Sequence, residues 1–269
     1  MPANLEVPIF GPASALPAIA AGAARIELNA AGSYLAGGLT PTVEDVAHLR
    51  DAQVPVRVMI RPRGPPMGQE EEGQRDFLYS DAEIDGMVRS IEELKASGAM
   101  QTEGGGGGGS RVVLQVETAQ RLVAASRPYK TVFHRAFDDI VGCDNVGGGA
   151  AADDDGTSGT VTEWENALAS LVQMGVDGIL TSGGPGNAAQ NIATLRKIMA
   201  KAGDSIEIIA GGGVRSGNVG ELCSKIDLGR GGRGSDGKEP WVHSSCLTGG
   251  DDEVDATEVR KILGELNSK

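Results

Sequence analysis

Thr131–Asp138 reads TVFHRAFD, a short β-branched and aromatic run that passes straight into a polar cluster. A buried parallel strand looks like this when it delivers side chains to a site at its C-terminal end. His134, Arg135 and Asp138 put an imidazole, a fixed cation and a carboxylate within five residues. Taken alone, the histidine reads first as a core residue beside a surface ion pair. Several other strands end in the same polar fashion, and that pattern moves the reading toward a site.

Outward from this stretch, strand and helix alternate. Leu5–Ile9, Arg25–Leu28 and Val54–Ile60 read as strands one to three. Helices are expected over Ala13–Ala21, from Val43 to Asp51 behind Thr42, and over Asp81–Ala96 behind Ser80. Lys130–His134 is the fifth strand, and Gly178–Thr181, Ile206–Ala210 and Trp241–His243 are the sixth to eighth. The helices between and after them are Val161–Met174, Ala188–Ala200, Gly217–Cys223 and Val254–Leu266. The expected class is α/β, a (β/α)8 TIM-type barrel with the fourth strand degenerate or missing. A doubly wound open sheet is the second choice, and no GxGxxG follows the first strand to support it.

The fourth unit carries the defect. Where a strand is due, the chain runs Met100–Glu103 and then six glycines, Gly104–Gly109. Arg111–Val116, RVVLQV, has a strand's composition, but the helical pattern Glu117–Ala125 follows with almost no loop. Both readings of this segment stay open. Pro65–Arg75, Cys143–Thr160 and Gly229–Pro240 look inserted, being rich in Gly, Pro or acid. All 269 residues are expected to form a single barrel domain carrying these inserts and the Gly-rich segment 104–110.

The net charge of −13 argues against electrostatic binding to nucleic acid or an anionic membrane. No apolar run approaches the length of about 20 residues that spans a bilayer. The start MPANLEVPIF lacks the basic region and long apolar core of a signal peptide. Three scattered cysteines, Cys143, Cys223 and Cys246, offer neither a disulfide framework nor a CxxC pair. The expectation is a cytoplasmic protein.

Strand parity divides the side chains. Leu5 and Val7 oppose Glu6; Ile26 and Leu28 oppose Arg25 and Glu27; Val56, Val58 and Ile60 oppose Arg57, Met59 and Arg61. A barrel strand packs its apolar face on the helices, so the charged set should face inward. Glu6, Arg25 and Arg57 then read either as an internal ion network or as part of a site. Glu27 and Arg61 lie nearer the strand ends, better placed to touch a ligand together with His134. Arg61 and Arg63 bracket Pro62, and guanidinium forks suit carboxylate or phosphate.

Glycine clusters add a second signal. Thr181, Ser182 and Gly183 follow strand six, Gly211, Gly212, Gly213 and Arg215 follow strand seven, and His243 and Ser244 close strand eight. Bare backbone N–H groups beside a helix N-terminus can cradle an anion, and this fold often holds phosphate there. With Arg135 and Asp138 these residues are the expected binding set. His134, Glu27 and Arg61 are the catalytic candidates. No metal-ligand set is expected from the residues themselves.

LEV, RIEL, GGLTP, VMIRPRG, FLYSDAE, FHRAFD, GILTSGG, AGGGVR and VHSS, in this order, resemble the CutC family, named for copper homeostasis. The resemblance covers most of the chain outside the three inserts. It implies a cytoplasmic TIM barrel, a homo-oligomer, with a role in copper tolerance and copper ion binding; copper as a bound ion is implied by the resemblance only. It implies no settled reaction. The family often has Cys after LEV and after RIEL, where this chain has Pro8 and Asn29. Cu(I) prefers thiolate and thioether ligands, and this chain clusters neither.

Two functions follow as expectations. One is a copper homeostasis protein of the CutC type. The alternative is a barrel enzyme or binding protein for a small anionic molecule bearing phosphate or carboxylate, with His134 as acid/base. A catalytically inert scaffold is a third, and the fold alone does not choose among them.

Overall fold

The computed structural model describes residues 4–66, 76–98, 116–146, 161–226, 241–249 and 252–268. Among these, seven parallel strands form one curled sheet in the order β3-β2-β1-β7-β6-β5-β4. The strands are β1 (Asn4–Phe10), β2 (Arg25–Asn29), β3 (Val56–Val58), β4 (Val132–Phe133), β5 (Gly178–Thr181), β6 (Glu207–Ala210) and β7 (Trp241–His243). The helices are α1 (Ala15–Ala20), α2 (Val43–His48), α3 (Asp81–Ala96), α4 (Val116–Ser126), α5 (Ala136–Val146), α6 (Glu163–Gln173), α7 (Ile192–Ala202), α8 (Ser216–Lys225) and α9 (Ala256–Asn267). First and last strands pair, which is how a barrel closes, and β3 and β4 are the ends of the described sheet. The architecture is α/β and TIM-barrel-like.

Met100–Ser110 and residues 111–115 lie outside the described residues, as does most of the three inserted tracts. Val116 is the first residue of α4. An unexpected helix follows β4. The polar cluster after β4 is not a loop leading into an insert, because α5 begins at Ala136 and runs to Val146. Asp138 therefore sits in the first turn of a helix, and Cys143 is helical. Acidic residues favour that position because they face the positive end of the helix.

Capping chemistry starts the helices where it was expected. Ser80 accepts from the Glu83 N–H, while the Glu83 carboxylate takes the Ser80 N–H at 2.7 Å. Thr42 and Asp45 repeat the arrangement at α2. Each box satisfies two backbone donors that a helix start leaves open.

The parity rule sorts the strands as the sequence requires. Leu5, Val7, Ile9, Ile26, Leu28, Val58 and Ile60 are buried in one apolar cluster with α1, α3, α8 and α9. On the other half, Phe133 and Ile179 pack with Phe137 and Ile140 of α5 and Leu168 and Leu171 of α6. Facing inward, Val132, Leu180 and Ile209 form a small apolar group with Trp241 beside it. Beside it the interior carries the charged side chains of Glu6, Arg25, Glu27, Arg57 and Arg61. Leu28→Ala should cost about 2–5 kcal/mol in urea unfolding, because it opens a cavity under the helices. Leu35→Ala, at a side chain 93% exposed, should stay within about 0.5 kcal/mol.

Candidate functional site

Glu6 stands at the centre of the interior and is fully buried. The register places it opposite Arg25 on β2 and opposite His243 on β7. Arg25 Nε and Arg57 Nη1 both donate to Glu6 Oε2, the latter at 2.9 Å. The same two guanidiniums reach Glu207 Oε1 on β6, at 3.1 and 2.6 Å. His243 Nδ1 lies 2.8 Å from the other Glu6 oxygen. Burial alone would raise the Glu6 pKa, but Arg57, Arg25 and His243 hold it well below the usual carboxylate range. Arg25 also stacks over Trp241, 3.6 Å from the ring centre.

Glu27 lies two residues beyond Arg25, on the same face and nearer the C-terminal mouth. Its Oε1 accepts from Asn29 Nδ2 at 3.3 Å, and its Oε2 is 4.0 Å from His134 Nε2. Burial pushes the Glu27 carboxyl up, against the pull of His243. Burial also pushes the His134 imidazole down to about 3, and the charges of His243, Arg61 and Arg135 add to this. Burial thus works against the charged form of both neighbours. His134 Nδ1 is buried with no hydrogen-bond partner.

Arg61 is also interior, 5% exposed. Its Nη1 donates to the Gly37 carbonyl at 2.9 Å and its Nη2 to Asp76 at 2.8 and 3.1 Å. The guanidinium lies 4.9 Å over Phe77, a non-glycine residue at φ 58°. Its Nε remains buried without a partner. Gly38 is needed nearby: at φ 86°, a Cβ there would fall 2.1 Å from Asn29 Oδ1.

The donor-rich turn after β5 is taken up by an internal carboxylate. Asp138 accepts from Thr181 Oγ1 at 2.5 Å, from Ser182 N at 3.0 Å and Oγ at 2.7 Å, and from Gly184 N at 3.3 Å. Thr181 and Ser182 are thus spent on a protein carboxylate rather than open to a ligand, and Gly183 N donates to Thr181 Oγ1. Asp138 is a partner of this cradle, not a ligand contact beside it. Arg135 closes the arrangement on Asp138 Oδ2 at 2.9 Å and on Ser182 Oγ at 3.0 Å.

Other expected residues are distributed differently. Arg63 turns away to Glu83 and the Leu78 carbonyl, bracing α3. Gly211 N donates to Thr181 O in ladder fashion. Gly212 and Gly213 have φ of 88° and 73°, and Gly212 lies against Ser182 and the Arg135 guanidinium. Arg215 donates to the Ser244 and Ser245 hydroxyls at 3.3 and 3.0 Å. Ser244 Oγ donates to the Val214 carbonyl. Glu207 and Asp76 were not among the candidates. The parity of Ile206–Ala210 marks Glu207 as inward-facing, whereas nothing local marks Asp76.

Although no metal set was expected, Glu6, Glu27 and His243 bring possible ligand atoms within 4.8 Å of one another. Cys143 is on α5, Cys223 is buried in α8, and Cys246 is buried beyond β7. Burial pushes the Cys246 thiol up to about 11. Among the described residues no helix is long and apolar enough to cross a membrane.

The CutC family model matches residues 3–146 and 157–229, leaving out part of the expected Cys143–Thr160 insert. A CutC family protein of Caulobacter vibrioides is 32% identical over 224 residues, covering 83% of this chain and 78% of that protein. One from Salmonella enteritidis is 34% identical over 224 residues, covering 81% and 74%. Among solved structures, a CutC protein from Streptococcus agalactiae superposes with a TM-score of 0.67 at 22% identity, over 90% of this chain and 98% of that one. Phosphoribosyl anthranilate isomerase from Pyrococcus furiosus gives 0.56 at 11% identity, over 99% and 100%, a likeness of fold alone. The chain belongs to the CutC family.

Proposed function

We propose that this protein acts in copper homeostasis in the cytosol, as a CutC-type protein. Family membership across both matched stretches carries the reading. The Streptococcus agalactiae neighbour is itself described as a candidate copper homeostasis protein CutC. Soft Cu(I) calls for thiolate ligands. The cysteines here sit on three different segments, one of them held protonated by burial, so a thiolate pair is not the expected copper ligand. Supplying the chain to a strain that lacks its own CutC protein should restore growth in elevated copper; unchanged sensitivity counts against the role. Cu(I) titration against a competing chelator should give weak binding, unaltered by Cys143→Ser or Cys246→Ser. Tight stoichiometric binding abolished by one such change would overturn this.

A second reading is favoured by the Glu27–His134 pair beside the buried Arg61 guanidinium. In it the mouth binds a small anionic molecule, Arg61 holds the anion, and His134 moves a proton with Glu27 as its partner. Native mass spectrometry of the freshly purified protein should then show a copurified anionic compound, and its loss in Arg61→Gln.

The same imidazole sets a pH dependence. Above about pH 6.5 His134 is neutral whether folded or unfolded, and its contribution to stability is complete. Below that, the unfolded chain takes up a proton that the folded chain refuses until about pH 3, so stability falls with pH. At about 1.4 kcal/mol per unit, some 2 kcal/mol is lost by about pH 5. Glu27 acts in the opposite sense and is common to wild type and variant. His134→Gln should therefore flatten the urea-unfolding profile between these pH values; parallel profiles would refute the assignment.

A further inference from the structure

Among the described residues, three carboxylates face the barrel interior: Glu6, Glu207 and Glu27. The guanidiniums of Arg25 and Arg57 form ion pairs with the first two. Glu27 instead meets the Asn29 amide and, at 4.0 Å, the His134 imidazole. Among these three, Glu27 is the one with no guanidinium ion pair. Beside it stands His243, whose Nδ1 is taken by Glu6 at 2.8 Å. Metal-binding histidines are commonly held in this way, one ring nitrogen on a carboxylate and the other left as a donor.

We propose that the barrel interior binds a divalent cation of the Zn2+ or Cu2+ class through the Glu27 carboxylate and the His243 imidazole, with Glu6 orienting the imidazole. Ligand atoms from Glu6, Glu27 and His243 already lie within 4.8 Å of one another, so a small closure brings two of these groups onto one ion. His134 Nε2, 4.0 Å from Glu27 Oε2, stands near as a third donor. Glu6 is a positioning residue here, because two guanidiniums hold its Oε2. Imidazole nitrogen with carboxylate oxygen suits Zn2+ and Cu2+; Cu(I) wants sulfur, and Mg2+ wants an octahedral oxygen shell. The site does not depend on the copper reading, and it gives that reading a non-thiolate ligand set.

Untagged, metal-stripped full-length protein titrated calorimetrically with Zn2+, and with Cu2+ buffered by glycine, should bind one ion per chain in the micromolar range or tighter. Mg2+ should give no response. Glu27→Gln and His243→Asn should each weaken binding at least tenfold while keeping the wild-type far-UV spectrum, and Cys143→Ser should leave it unchanged. Absence of binding by either ion at millimolar concentration overturns the proposal, as does binding indifferent to both substitutions in folded protein. A chain that binds both ions yet fails to restore copper tolerance keeps the site and removes the copper role. One that restores tolerance without binding either ion does the reverse.

Discussion

A fully buried carboxylate between two guanidiniums is the constraint that the rest of the barrel obeys. Removing one partner from such a group leaves an uncompensated charge, which costs about 3–5 kcal/mol. Glu6, Arg25, Arg57 and Glu207 come from four strands, so the network is complete only when all four are in register. A slip of one residue on any of them turns the charge outward into the layer beneath the helices. The ion cluster is therefore better understood as a register lock than as a source of net stability.

That lock explains how much of the molecule can be read from sequence. Alternation in LEV, RIEL and VRVMIR places Glu6, Arg25, Glu27 and Arg57 inside, and there the structure pairs Glu6 with Arg25 and Arg57. The helices were legible because Thr42 and Ser80 announce their starts. The α5 helix was not, since it begins inside the polar cluster with no glycine or proline to mark the break. Nor could local sequence reveal that the donors at Thr181–Gly184 serve Asp138. That contact joins residues 43 positions apart, and a donor-rich turn looks the same whether its anion is a ligand or a side chain.

The site divides into a floor of paired charges and a mouth where burial works against charge. On the floor, opposite charges meet at close range and stabilise one another. At the mouth, Glu27 and His134 are each pushed toward the uncharged form by burial. Composition alone names these residues, but which of them stays ionised depends on where the arginines reach. Arg25 and Arg57 lean to Glu6 and Glu207, and Arg61 is held by Asp76 and Gly37, so Glu27 is left to its neighbours.

The strand order has a consequence for how the chain could be divided. β1 is flanked by β2 and β7, so the two ends of the chain meet inside the sheet, while its ends, β3 and β4, belong to mid-chain. A cut between α3 and α4 severs no ladder joining described strands. The leading fragment keeps Glu6, Arg25 and Arg57, and the trailing one keeps Glu207 and His243. Each fragment presents the counter-charges the other lacks. The interior network then works as a clasp between two separately made pieces, which makes this barrel suited to reassembly from halves.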